Sequence, residues 1–411
     1  MTTDSVYQLT ASFFQDPHST YRLLNERGPV HHVEFPNGMR VWLVTDYALA
    51  KRVLTDPTIS KDLYGPVGEI AQTNGNAVMR LDPPVNNHMV YSDPPRHTRL
   101  RKIAMEVLSG RVVRDVAPRV AQIAQQLLDA MADEESVDLV EAYAYPFAVT
   151  VICELIGIAA SDRTEFQGWL ITQQSTADPA EKYAAAAKFK AYVARLVEER
   201  SANGRTDFVS ELIAATDEGG RLDQVELVAM INALLLGSQE TIAGLIGHAV
   251  LLMLRQRHLL TELVGDPDLI PAFIEETLRY EASSNLSTYR FTTVPIELGG
   301  RKIDSGQIVL ASLSGANRDP KVFDRPDEVD PHRLDNRHIA FGYGMHFCAG
   351  ATLARKEAHI AISSLLARYP EISFATAVED LRWNPSYFTR GLESLPIRLG
   401  RSTSAPVPAE G

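Results

Sequence analysis

A chain of 411 residues, 45% hydrophobic and 22% charged, has ordinary globular composition and enough apolar side chains for a large core. Its formal net charge of −12 speaks against a nucleic-acid binder, which usually carries a basic excess. Two cysteines, Cys153 and Cys348, build no disulfide framework, so the reducing cytoplasm is the expected compartment.

The opening MTTDSVYQLT lacks the basic and apolar regions of a secretory signal. GMRVWLV, between Asn37 and Asp46, reads as an early strand. Apolar periodicity then predicts helices over 100–107, 116–131, 146–157, 182–200, 222–255 and 271–280. The stretch 222–255 is long enough to cross a bilayer, but Glu226, Asn232, Gln239, Glu240 and His248 interrupt it. A spanning helix needs roughly 20 apolar residues with few charges, so this one is read as a buried helix and no membrane is expected. After Tyr280 the pattern shortens to β-prone runs at 289–293, 296–298, 302–303 and 308–312, divided by the turn signals Gly299-Gly300 and Ser305-Gly306. A loop rich in Asp, Arg and Pro (317–337) and a glycine-rich segment lead to a final helix at 349–368. The expected class is α+β, mainly α-helical with a small β-rich region, as one domain over 1–401 and a disordered tail at 402–411.

The segment FGYGMHFCAGATLAR, residues 341–355, carries the chemistry. Cys348 stands just before a helix, where free backbone N–H groups and the dipole favour an anion and so the thiolate that binds metals. The glycines Gly342, Gly344 and Gly350 let the backbone bend tightly and lie close to a flat object, and His346 can donate to an anionic group beside it. Cys153, in the apolar run VTVICELIG, reads instead as a core residue.

At every defined position this segment is similar to the haem-binding signature of cytochromes P450, F-x-x-G-x-H-x-C-x-G. The resemblance implies the P450 fold, with a long central helix over haem b and Cys348 as the iron ligand, packed by Phe341, Gly342 and Gly350. Thiolate ligation favours O–O cleavage, and hence activation of O2 and insertion of one oxygen atom into a C–H bond. It also implies a structural triad of Glu276 and Arg279, in EETLRY, with Arg333.

In DPPRHTRLR, helical periodicity puts His97 and Arg101 on one face and Arg96, Arg99 and Lys102 on the other. The resemblance makes His97, Arg101, Arg290 and His346 partners of the haem propionates. The opposite face, with Arg111 and Arg114, suits either solubility or docking of an acidic ferredoxin. Glu240 and Thr241, in LLLGSQETIAGLIG, match the acid–alcohol pair that delivers protons for O–O cleavage, although Thr241 can instead bond back to a helix carbonyl. Gly237-Ser238 stands where the family commonly has Ala-Gly.

The resemblance further assigns the substrate wall to Val85, Asn86, Asn87, Met89 and Val90, to Leu234, Leu235 and Ser238, to Asn285, Leu286 and Ser287, and to Tyr387 and Phe388. Such a wall suits a medium-sized natural product of secondary metabolism. The implied reaction is hydroxylation; oxidative coupling or cyclisation on the same haem is the alternative, and a haem sensor without turnover would have no need of Glu240-Thr241. With no flavin, nicotinamide or iron–sulfur motif in the chain, ferredoxin and ferredoxin reductase are the expected electron donors. The family form is a monomer.

Overall fold

The long apolar stretch becomes the 32-residue helix Gln224–Arg255, about 48 Å from end to end at the usual rise. Its start is fixed by a capping box, in which the Asp223 side chain accepts from the Glu226 N–H and the Glu226 side chain accepts from the Asp223 N–H. Beyond Thr241 it is buried all round, from Ile242 to Leu254. It packs against Tyr145–Ile156, Pro179–Asn203, Ile270–Tyr280 and Ala351–Arg368. The segment long and apolar enough to cross a membrane is therefore a core helix, with 61% of its most apolar window inside the protein. The computed structural model describes residues 6–66, 68–69, 88–108, 110–174, 178–203, 207–217 and 220–403.

A four-stranded mixed sheet lies to one side. Val30–Glu34 and Arg40–Val44 form an antiparallel hairpin around Gly38 (φ +83°), Tyr7–Gln8 joins Val30–Glu34 in parallel, and Val309–Ala311 pairs in parallel with Arg40–Val44. Each predicted helix is present with ends moved by a few residues, the largest shift being Gly110–Ala130, which starts before the expected 116. Helices at Pro17–Arg27, Tyr47–Thr55, Arg163–Gln174 and Phe208–Ala214 were not expected. Pro17–Arg27 carries polar residues on most positions and buries only Pro17, His18, Tyr21 and Leu24, so its apolar signal is faint. Of the predicted tail, 404–411 lies outside the described residues.

Candidate functional site: a sulfur-floored cavity with a cationic rim

The Cys348 loop is closed by backbone bonds: Cys348 N–H donates to the Phe341 carbonyl at 2.8 Å, and Phe347 N–H to that of Gly344 at 3.0 Å. Gly342 and Gly344 take φ of +75° and +76°, the left-handed region that favours glycine. At 344 an added Cβ would also come within 2.6 Å of the Thr55 side chain. Gly350 closes a turn with φ −90°, a conformation open to any residue, so the bend is present but no left-handed geometry demands glycine there. It lines the cavity, and a Cβ built on it meets nothing within 4 Å, which leaves open space above the sulfur. The expected lowering of the thiol pKa is corrected: burial pushes the Cys348 thiol up, outweighing the Gly350 N–H, Arg101 and Arg355, which pull it down. The side chain is nonetheless exposed to the cavity, where a bound cation would supply the counter-charge that favours the thiolate. Cys153 lies in the core, its thiol pushed up to about 12 by burial.

Two ion-pair systems brace this floor. Arg279 grips Glu276 in a fork, Nε to Oε2 at 2.8 Å and Nη2 to Oε1 at 2.7 Å, both side chains wholly buried. Arg333 Nε joins Glu276 Oε2 at 3.2 Å and its Nη1 donates to the Asp324 carbonyl, while Arg279 donates to the carbonyls of Asn317, Pro326 and Glu328. The triad thus ties the Ile270–Tyr280 helix to the 317–333 loop. Sequence reasoning missed the neighbouring pair: Glu275 accepts from Arg355 at 2.6 and 2.8 Å, and the Arg355 guanidinium lies 4.6 Å from the Phe341 ring centre. Burial would raise Glu275, but Arg355 and His338 hold it down at about 2.

At one rim the cavity collects basic side chains. His97, Arg101, Arg290 and His346 all line it, joined by Lys61, which the sequence reading did not single out. His97 and His346 rings lie 4.1 Å apart. His97 Nε2, His346 Nε2 and Arg290 Nε are buried with no hydrogen-bond partner. Buried polar atoms are normally paired, so three orphans at one rim mark the place of an acceptor. Burial lowers the pKa values of His346, Lys61 and Arg290, the last to about 10, and mutual repulsion within the cluster adds to this for His346 and Lys61. Asp93 is already engaged, Oδ2 by the Ser60 hydroxyl at 2.5 Å and Oδ1 by the Lys61 N–H at 3.0 Å. Sulfur below, open space above it and donors without an acceptor at one rim fit a planar metal cofactor bearing carboxylates.

Opposite the sulfur, Gly237, Ser238, Thr241 and Ile242 of the long helix form the roof. The helix runs through this segment without interruption. Thr241 Oγ1 donates back to the Gly237 carbonyl at 2.7 Å. With its single proton so engaged, the hydroxyl offers the cavity its lone pairs. Glu240 does not line the cavity; its Oε2 accepts from the Thr389 hydroxyl at 2.7 Å, and burial raises its carboxyl pKa. The structure therefore brings Thr241 to the cavity and turns Glu240 towards the C-terminal turn.

The cavity volume is about 310 Å³. Of the predicted wall residues, Met89, Val90, Leu234, Ser238, Leu286 and Ser287 line it. Four others do not, and these expectations are corrected. Leu235 is fully buried in a core cluster, because neighbours on a helix point about 100° apart and Leu234 takes the cavity side. Asn285 is spent on the Tyr21 hydroxyl, accepting at 2.7 Å. Tyr387 packs 4.7 Å from Phe35 and 5.2 Å from Phe14, and Phe388 lies 4.8 Å from Tyr289, measured between ring centres. Val85, Asn86 and Asn87 fall outside the described residues. Ile152, Leu155, Ile156 and Phe208 line the cavity without having been foreseen, since nothing local distinguishes them from core residues.

The basic face is also corrected. Arg99 forks onto Glu226 at 2.8 and 3.1 Å, and Arg96 lies 3.8 Å from the same carboxylate, so both serve the start of the long helix. Lys102 and Arg114 remain exposed.

A family model, Cytochrome P450, matches residues 174–371. Cytochrome P450 107B1 of Saccharopolyspora erythraea is 39% identical, covering 97% of this chain and 100% of its own. The cytochrome P450 monooxygenase PikC of Streptomyces venezuelae is 38% identical, covering 97% of this chain and 94% of its own. Among solved structures, the P450 enzyme CxnD, described for C–S bond formation in chuangxinmycin biosynthesis, superposes with TM-score 0.89 at 35% identity, covering 98% of this chain and 99% of that one.

Proposed function

The chain belongs to the cytochrome P450 family and is a haem b monooxygenase, and from that premise we propose that it hydroxylates a medium-sized natural product, with Cys348 as the residue that would hold the haem iron. One observation supports this above others: the Cys348 sulfur lines the same cavity as three buried nitrogens that have no acceptor. His97, Arg101, Arg290 and His346 would take the propionates, with Lys61 added to them, and Phe341, Gly342 and Gly350 would pack the ring. Bound there, the haem supplies O2 activation with electron density from the thiolate. Thr241 receives hydrogen bonds from the reacting oxygen side of the cavity, and Glu240 holds the proton that is passed on. The apolar wall around Met89, Val90, Leu234 and Leu286 excludes water and orients the substrate, while Ser238 and Ser287 offer it hydroxyls.

The substrate is a small molecule and the electrons come from redox partner proteins. We assign the partner role to a ferredoxin and its reductase, acting in the cytoplasm on a monomer. The similarity to CxnD supports a second reading, bond formation between substrate atoms without net oxygen insertion. Product mass separates the two: a gain of one oxygen atom supports hydroxylation, and loss of two hydrogens supports coupling. For the site itself, the reduced carbon monoxide complex should show the strongly red-shifted Soret band of a thiolate-bound haem. Cys348→Ala should abolish that band; its persistence overturns the assignment.

A further inference from the structure

Glu240 is the acid of the proposed proton-delivery pair, yet it faces away from the cavity. Its Oε2 accepts from Thr389 Oγ1 at 2.7 Å, across 149 positions of sequence. Thr389 Oγ1 lies in turn 2.8 Å from Ser386 Oγ. Ser386 is half-buried and follows the exposed pair Asn384-Pro385, so the chain of hydroxyls ends at the surface. Its inner end is held by an antiparallel bridge between Ser284 and Thr389.

A local reading accounts for part of this. Ser386 Oγ also accepts the Thr389 N–H at 3.3 Å, an ordinary turn contact of a serine. That contact explains where the Ser386 hydroxyl sits. It does not explain why a second hydroxyl, Thr389, is aimed at the one acidic side chain next to Thr241. Because Thr389 donates to Glu240, its own lone pairs are left to accept, and Ser386 is the hydroxyl placed to donate. The three groups are thus ordered for inward transfer.

We propose that Ser386 and Thr389 form a hydroxyl relay that carries protons from solvent to Glu240, and through it to the Thr241 side of the cavity. The inference rests on the Glu240–Thr241 reading above. In one passage Thr389 gives its hydroxyl proton to the Glu240 carboxylate, Ser386 gives its proton to Thr389, and water protonates Ser386. Three O–H bonds break and three form. The result is a neutral Glu240 carboxyl, a hydroxide equivalent left in bulk solvent, and two unchanged alcohols, with no oxidant or reductant consumed. A carboxyl is suited to the inner end because it can turn from Thr389 towards the neighbouring residue after taking the proton.

The test uses the holoenzyme with Thr389→Val, which keeps the shape and removes the hydroxyl, Thr389→Ser, which restores it, and Ser386→Ala. Two readouts are taken: the carboxyl infrared band assigned by its loss in Glu240→Gln, and the fraction of donor electrons released as hydrogen peroxide, with its solvent deuterium dependence. Thr389→Val should shift the Glu240 band in the resting protein, raise peroxide release about threefold or more, and change the solvent isotope effect. Thr389→Ser should restore all three, and Ser386→Ala should repeat the effect on peroxide and isotope dependence while the band moves less. Unchanged peroxide release in Thr389→Val, alongside strong release in Glu240→Gln or Thr241→Ala, overturns the relay and leaves the acid–alcohol pair standing. Unchanged release in all of these variants overturns the pair itself, and the relay with it.

Discussion

The cysteine loop and residues 237–241 of the long helix face each other across one cavity and are held by opposite means. The loop is braced from behind by wholly buried charges: Glu276 alone receives Arg279, Arg333, the Asp330 N–H and the Asn336 amide. In the roof, Ser238 and Thr241 bond only to carbonyls of their own turn, and Glu240 reaches out to a separate turn of chain. A metal ligand must stay at one bond length, so redundancy is useful there. A group that accepts and passes protons must reorient, so sparse contacts are useful there. On this contrast, substitutions behind the floor should cost folding, and those in the roof should cost chemistry while the fold survives.

The largest effect should come from Arg279→Ala. Removing one partner of a buried ion pair typically costs about 3 to 5 kcal/mol, because the remaining charge is stranded. Here it also leaves the Asn317 and Pro326 carbonyls without their donor, while the Glu328 carbonyl keeps only the longer bond from Arg333. Urea unfolding should show this loss together with a diminished thiolate-type carbon monoxide band. Thr241→Ala in the same assay should stay within about 1 kcal/mol of the parent, as its bond to the helix turn is a single neutral one. Equal losses from both would break the comparison.

Glu357 sharpens it from within the floor. It is buried on the helix that follows Cys348 and lines the cavity, and burial pushes its carboxyl up from 4.5 to about 8. A folded-state pKa above the unfolded one means that the neutral acid is preferred in the fold. The stability it allows is complete below pH 4.5 and is lost as the pH rises through 8. Unfolding at pH 8.5 should therefore be easier than at pH 5 by an amount on the order of 3 kcal/mol. Glu357→Gln, neutral throughout, should flatten that slope in denaturation curves taken at the two pH values. A slope that survives the substitution removes Glu357 as its source.

Lys61 belongs to the rim between floor and roof. A hydrogen bond to a charged group is worth about 1.5 to 3 kcal/mol, so Lys61→Met should release haem about 10- to 100-fold faster. Transfer of haem to apomyoglobin measures this without reference to turnover. Unchanged release would mean that His97, Arg101, Arg290 and His346 suffice.

The same contrast explains what the sequence made legible. The floor is written in one contiguous run, where Phe341, Gly344, His346, Cys348 and Gly350 keep fixed spacing because one turn of backbone sets their geometry. Glu276 and Arg279 were equally readable, three apart on one helix. The wall is assembled from segments distant in sequence, so its membership depends on which side each helix turns inward. That is why Leu234 and Leu235 were not separated, and why Asn285, Tyr387 and Phe388 were placed on a wall that they do not line. Lys61 gave no signal at all, since a lysine after a short strand reads as surface until the fold closes over it.

The smallest effect concerns the outer face, where the structure divides a group of cations that periodicity had joined. Arg99 is three-quarters buried and bound to Glu226, whereas Lys102 is exposed. Arg99→Ala should lower stability by about 1 kcal/mol, the range for a partly exposed pair, by loosening the start of the long helix. Its KM for a reduced ferredoxin should stay near that of the parent, because the charge is already neutralised by Glu226. Lys102→Glu should do the reverse, with stability unchanged and a KM that rises and depends more steeply on ionic strength, as expected for a rim charge that steers encounter. If Arg99→Ala also raises KM at constant stability, the pair with Glu226 opens in solution and the basic face acts as a unit after all.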